Sequence, residues 1–168
     1  LRVFTSDNVL IGEFGEERRN VVRIRDVPDV LKSAILSAED DGFYQHGGID
    51  WSGVLGAAFT NMVNLSKSQG ASTITMQVAR NFYLSSEKTY TRKLYEFLLT
   101  FKIDANLTKD QILEHYINQI YLGQRAYGFA SAARIYYGKP LEEFTPSVAA
   151  MLAGIPKAPS RYKPRVHP

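Results

Sequence analysis

Apolar residues along the chain fall first into a loose alternation and then, past Pro28, into a helical period. Arg2-Val3-Phe4, Val9-Leu10-Ile11 beside Gly12, and Val21-Val22-Arg23-Ile24, broken by turn residues at Asp7-Asn8 and Gly12, predict an extended N-terminal arm over residues 1–27. Val30, Leu31, Ala34, Ile35 and Ala38 then share one face of a helix, with Pro28 suited to its first turn and Gly42 to its stop. Val54, Leu55, Ala58, Phe59 and Met62 mark an apolar helix over residues 51–63, and the polar run Asn64 to Gly70 reads as a loop. Ser72 or Thr73 is a natural N-cap for a helix through about Phe82, and residues 89–105 carry the stripe Leu94, Phe97, Leu98 and Phe101. Thr108 with Gln111 forms a capping box for a helix bearing Ile112, Leu113, Tyr116, Ile117 and Ile120, ended by Gly123. Helices over 126–137, closed by Gly138, and 146–154, capped by Thr145, complete an all-α domain with a small extended segment.

Composition narrows the chemistry. With 168 residues, 45% apolar and 22% charged, the chain suits one folded domain, and the absence of cysteine removes thiolate nucleophiles, Cys-based zinc sites and disulfides. A net charge of +3 does not argue for a nucleic acid partner, and the basic residues lack the interleaved aromatics of a nucleic acid groove. Every charge after Glu143 is positive, and Arg18, Arg19, Arg23 and Arg25 crowd the start, so both ends suit an anionic surface as well as plain solvation. No stretch approaches the roughly 18–20 apolar residues that span a bilayer. The start at Leu1 and the proline-rich end predict a fragment, with an anchor or second domain outside it.

Three places carry candidate chemistry. Glu39 falls in the last turn of its helix, where exposed carbonyls and the neighbouring Asp40 and Asp41 raise a carboxylate's proton affinity toward that of a general base, with His46 close enough to orient one of these acids. A solvated acidic helix end with a surface histidine fits the same residues. The stretch Gly70-Ala-Ser-Thr-Ile-Thr-Met-Gln-Val-Ala-Arg-Asn81 sets hydroxyls at a helix start, where free N–H groups favour an anion such as phosphate. Thr73, Gln77, Arg80 and Asn81 then line one polar face, as they would in any well-capped amphipathic helix. Glu96 lies four residues from Arg92, opposite the Leu94/Phe97/Leu98/Phe101 stripe, yet shares its side with Leu99 and Ile103. A half-covered carboxylate beside Arg92 and Lys93 is either a structural ion pair or a functional acid or metal ligand.

Jointly these segments say more. Glu39-Asp40-x-x-Phe43-x-x-His46-x-Gly48-x-Asp50, Gly70-Ala-Ser-Thr-Ile-Thr-x-Gln77-x-x-Arg80-Asn81, Arg92-Lys93-x-x-Glu96, Lys109-x-x-Ile112-Leu113-Glu114-x-Tyr116-x-Asn118 and Leu152-Ala-Gly-Ile-Pro-Lys-Ala-Pro159 appear in one order. The chain resembles, over nearly its whole length, glycosyltransferase family 51, the peptidoglycan glycosyltransferase domain of class A penicillin-binding proteins and monofunctional relatives. It departs from the family pattern at Met76, where Gln is usual, and at Thr100, Asp104 and Val148.

The resemblance implies a lysozyme-like, mainly helical head and a smaller jaw over about residues 51–69 that touches the membrane. It implies Glu39 as the catalytic base and Glu96 as the second carboxylate, with Asp40, Phe43, His46, Ser72, Thr73, Gln77, Arg80, Asn81, Arg92 and Lys93 at substrate-binding positions. The reaction implied is polymerisation of lipid II at the outer, periplasmic face of the bacterial cytoplasmic membrane. The partners implied are lipid II, the growing lipid-linked glycan, the membrane surface and a fused transpeptidase domain beyond Ser160-Arg-Tyr-Lys-Pro. Magnesium or manganese bridging phosphate oxygens, with Glu96 as a ligand, fits the same picture. The competing expectations are a lytic transglycosylase or muramidase using Glu39 as an acid on finished glycan, and a non-catalytic module at the membrane surface.

Overall fold

The computed structural model describes residues 2–7, 10–13, 18–63, 72–83 and 90–157. The expected loop at 64–70 and the exit segment after Lys157 lie outside them. Among the described residues four short strands and seven α-helices follow one another: β1 (Arg2–Phe4), β2 (Leu10–Glu13), β3 (Arg18–Arg19), α1 (Asp29–Glu39), α2 (Trp51–Val63), α3 (Ile74–Tyr83), α4 (Tyr90–Asn106), α5 (Lys109–Gln119), β4 (Ala126–Tyr127), α6 (Phe129–Tyr137) and α7 (Pro146–Gly154). A 3-10 turn, Ile155–Lys157, prolongs α7.

The core is a helical cluster with α5 at its centre. Its capping box forms as the sequence predicts, Thr108 accepting from the Gln111 N–H and Gln111 from the Thr108 N–H, and Ile112, Leu113, Tyr116 and Ile117 are buried. α3 packs against both α4 and α5, and α1 lies along α7 with Leu31 and Ile35 fully buried. Each such aliphatic side chain contributes about 1.5–3 kcal/mol by leaving water.

The arm is stitched to this cluster by side chains of the fourth motif. Asn118 accepts from the Val22 N–H at 2.8 Å and donates to its carbonyl at 2.8 Å, while Glu114 accepts from the Ile24 N–H at 2.7 Å. β3 pairs with β4 in parallel, so residues 126–127, expected to open a helix, form a strand instead, and α6 begins only after Gly128. Gly128 has φ +83°, and a Cβ there would sit 2.7 Å from the Asn118 carbonyl, a position open only to glycine.

α4 corrects the expected stripe. Its buried residues are Glu96, Thr100 and Ile103, whereas Leu94, Leu98 and Phe101 are exposed. α2 likewise turns Leu55, Phe59 and Met62 outward. An edge-to-face contact of Trp51 with Phe97, centroids 5.9 Å apart, joins the start of α2 to α4.

Candidate active site

α1 ends at Glu39, one residue short of the acidic pair that follows, because Asp40 leaves helical geometry with φ −165°. That turn sends the Asp40 carboxylate inward. Its Oδ2 accepts from the Ile74 N–H at 3.0 Å and its Oδ1 meets His46 Nε2 at 2.8 Å. The first amide of α3 is therefore capped by Asp40, and Thr73 completes the cap, its Oγ1 accepting from the Met76 N–H at 3.2 Å and donating to the Gly48 carbonyl at 2.6 Å. Two N–H groups of the helix start expected to receive a phosphate, those of Ile74 and Met76, are held by the protein's own oxygens.

The loop between α1 and α2 is pinned from below. Lys109 donates to the His46 carbonyl and to Asp104 Oδ1, each at 2.7 Å, and lies 4.9 Å above the Phe43 ring centre. Phe43 is fully buried in the core, so it positions the loop. Asp104 keeps the charge that its shorter stem still delivers to Lys109.

Glu39 is half-buried, and its Oε2 accepts from Gln77 Nε2 at 2.8 Å. Burial pushes its carboxyl above the usual range; the Gln77 hydrogen bond and the Lys157 charge pull it back, and the Asp40 charge pushes it up. The chief cause is thus desolvation, more than the helix-end field expected from sequence. Lys157, 118 residues away, had no assigned role in the sequence. Replacing it by Met is expected to move the acid limb of kcat/KM to higher pH; an unmoved limb would remove Lys157 from the site.

The second carboxylate is fully buried. Arg80 grips Glu96 with Nε on Oε2 at 3.1 Å and a terminal nitrogen on Oε1 at 3.0 Å, and Lys93 donates to Oε1 at 2.5 Å. Burial pushes Glu96 up, but the hydrogen bonds and charges of Arg80 and Lys93 outweigh it and hold the carboxyl below its usual range. Both oxygens are occupied by cations, so Glu96 does not fit as ligand of a divalent ion, which needs free carboxylate oxygens. Among the described residues no group of three or more His, Asp or Glu is placed to hold a metal.

One helix links the two carboxylates. Gln77 and Arg80, three residues apart on α3, hold Glu39 and Glu96 respectively, and Arg80 also donates to Ser72 Oγ at 3.0 Å. A cavity of about 340 Å³ opens here, lined by Glu39, Asp40, Asp41, Asp50, Ser72 and Thr73. Ser72 thus reaches from the cavity wall to the cationic cluster. Arg92 is half-buried on α4 and Asn81 exposed on α3. A separate cavity of about 480 Å³, between the arm and α6, holds none of the residues singled out from the sequence.

Such an arrangement places a carboxylate of raised proton affinity beside a cluster whose two cations exceed its one anion, which suits proton removal near a polyanionic leaving group. Penicillin-binding protein 1A of Neisseria lactamica is 58% identical over 168 residues, all of this chain and 21% of that protein. Penicillin-binding protein 1A of Pseudomonas aeruginosa is 49% identical over all of this chain and 20% of its own length. A crystal structure of penicillin-binding protein 1A from Haemophilus influenzae aligns with 98% of this chain and 15% of that one, at 29% identity and a TM-score of 0.47. The chain therefore spans about a fifth of the curated relatives it matches. The transglycosylase family profile matches residues 7–168, and the chain belongs to that family, glycosyltransferase family 51.

Proposed function

We propose that this domain polymerises lipid II, joining the anomeric carbon of a glycan linked to a lipid diphosphate to the 4-hydroxyl of a second lipid-linked disaccharide, with inversion. The observation that carries it is that Glu39 lines the same cavity as Ser72, whose hydroxyl accepts from Arg80 of the cationic cluster behind it. Glu39 takes the hydroxyl proton as the new C–O bond forms on one face of the sugar; on the other face the bond to the diphosphate breaks and its electrons leave with the phosphate oxygen. A diphosphate leaves as a stable anion, so cations do the work that a glycosidase gives to an acid. Arg80, Lys93 and Arg92 supply that charge. Glu96, gripped through both oxygens, is a poor nucleophile and instead holds Arg80 and Lys93 in place. Asp40 and His46 keep the start of α3, and so Gln77 and Ser72, in register with Glu39.

The raised proton affinity of Glu39 also suits an acid acting on finished glycan. Incubation with lipid-linked disaccharide and, separately, with purified glycan strands decides between the two. Polymer from the first supports the synthase; fragments from the second with no polymer overturn it.

The same reading gives the outward apolar residues a purpose. No helix among the described residues is long and apolar enough to cross a membrane. Leu55, Phe59 and Met62 on α2 with Leu94 and Leu98 on α4, each more than half exposed, would rest on the outer face of the cytoplasmic membrane where the substrate's lipid lies. α2 belongs to the jaw of this account, and a transpeptidase domain is its expected companion in the whole protein. Changing Leu55 and Leu98 together to Glu is expected to abolish sedimentation with anionic lipid vesicles without lowering Tm. Undiminished sedimentation would refute this surface.

A further inference from the structure

The cavity that Glu39 lines holds a carboxylate the mechanism above does not use. Glu39, Asp40, Asp41 and Asp50 all line it, and among the described residues no lysine or arginine does. Two of the four are committed to the fold. Asp40 holds the Ile74 N–H and His46, and Asp50 accepts from Ser52 Oγ at 2.6 Å where α2 begins. Thr73 is likewise engaged, bridging Gly48 and Met76. Asp41 differs: it is exposed, and among the described residues it has no hydrogen bond or ion pair. The turn that ends α1 puts it there. With φ −165° Asp40 is extended and carries its own carboxylate toward α3, so the residues before and after it, Glu39 and Asp41, reach the cavity together.

Charge and geometry say what such a pair can take. Acidic walls without a cation disfavour phosphate and suit a neutral group rich in O–H donors, because a carboxylate only accepts. A hydrogen bond from a hydroxyl to a carboxylate is also stronger than one between neutral groups. Neighbouring hydroxyls on a sugar ring leave from one edge, so a ring that offers one to Glu39 offers the next to an acceptor beside it. The hydroxyl at C3 is fixed to the ring in this way, whereas that at C6 swings on a rotatable arm. From this, and resting on the reading of Glu39 as the base for the 4-hydroxyl, we infer that Asp41 is a specificity residue, its carboxylate accepting from the C3 hydroxyl of the acceptor's terminal sugar. Held by two adjacent oxygens, the ring presents C4 and no other position to Glu39, and growth is confined to that linkage. The same acidic wall turns the diphosphate away from the base, toward the cations behind Ser72.

The test separates acceptor from donor. A lipid-linked donor capped at its own 4-hydroxyl is offered with an acceptor that keeps or lacks the hydroxyl at C3, and single transfers are measured. In the wild type, loss of that hydroxyl is expected to lower the acceptor's kcat/KM about tenfold to a hundredfold, the range for one hydrogen bond to a charged group. Asp41→Ala lowers it by a similar factor with the intact acceptor, and then treats the two acceptors alike within about twofold. Asp41→Asn, which keeps an acceptor oxygen without the charge, falls between, and it serves alone if the alanine variant does not fold. An acceptor lacking the C6 hydroxyl carries the same penalty in all three proteins. If Asp41→Ala still discriminates at C3 as the wild type does, or if the preference it loses is at C6, the inference is overturned. A wild type indifferent to the C3 hydroxyl overturns it too. A wild-type domain that makes no polymer from lipid II would instead defeat the proposed function itself.

Discussion

Glu39→Gln is expected to lower polymerisation by about 10²–10⁴-fold, the range that a positioned general base supplies, while binding of a lipid diphosphate substrate is retained. The side chain keeps its shape and its place beside Gln77, so what goes is the proton acceptor. Stability should not fall. The folded protein raises this carboxyl's pKa, so its contribution is favourable at low pH and is lost as pH rises through the raised value; the ionised group opposes folding at neutral pH. A neutral Gln removes that opposition, and Tm is expected to stay level or rise. Polymer formed at more than a tenth of the wild-type rate by a clean Gln variant would strip Glu39 of its role.

The second large effect is on folding. Glu96→Leu leaves Arg80 and Lys93 without their shared partner in a site built around it, and breaking a buried pair in this way costs on the order of 3 kcal/mol. For a domain of this size that is a fall in Tm of roughly 6–12 °C. The pH dependence runs opposite to that of Glu39. Because Glu96 is held below its ordinary range, its stabilisation is present at neutral pH and is lost as pH falls through the lowered value. Wild type should therefore lose more stability on acidification than Glu96→Leu does. Equal melting curves for the two at neutral pH would show that the cluster has no structural role.

Local signals carried far along this chain. α5 could be read from Thr108, Gln111 and its apolar period because cap and stripe lie within one helix. The end of α6 at Gly138, with φ +67°, was similarly local. What escaped was decided by partners distant in sequence. The start of α3 reads as an anion site in sequence, and Asp40, 34 residues earlier, takes its first amide. Ala126 and Tyr127 continue a helical pattern until Arg18 and Arg19 draw them into a strand pair. On α4, four apolar residues outweighed one carboxylate in choosing the inward face. The reverse holds because Arg80, on another helix, neutralises Glu96, while α2 and α4 turn apolar side chains outward together. Leu99 and Ile103 beside Glu96 were the sign of it. Lys109, which ties the loop to α4 through Asp104, and Lys157, which faces Glu39, were visible as motif residues but had no stated task.

In the proposed reaction a sugar hydroxyl sits at Glu39 in the cavity and the diphosphate reaches the neighbouring Arg80–Lys93 cluster past Ser72. A crystal structure of the domain with a non-hydrolysable lipid-diphosphate sugar tests this most directly. The account predicts phosphate oxygens within hydrogen-bonding distance of Arg80 or Lys93 and the sugar in the cavity that Glu39 lines. A diphosphate bound away from both cations, or a sugar seated where Glu39 does not reach, would contradict it.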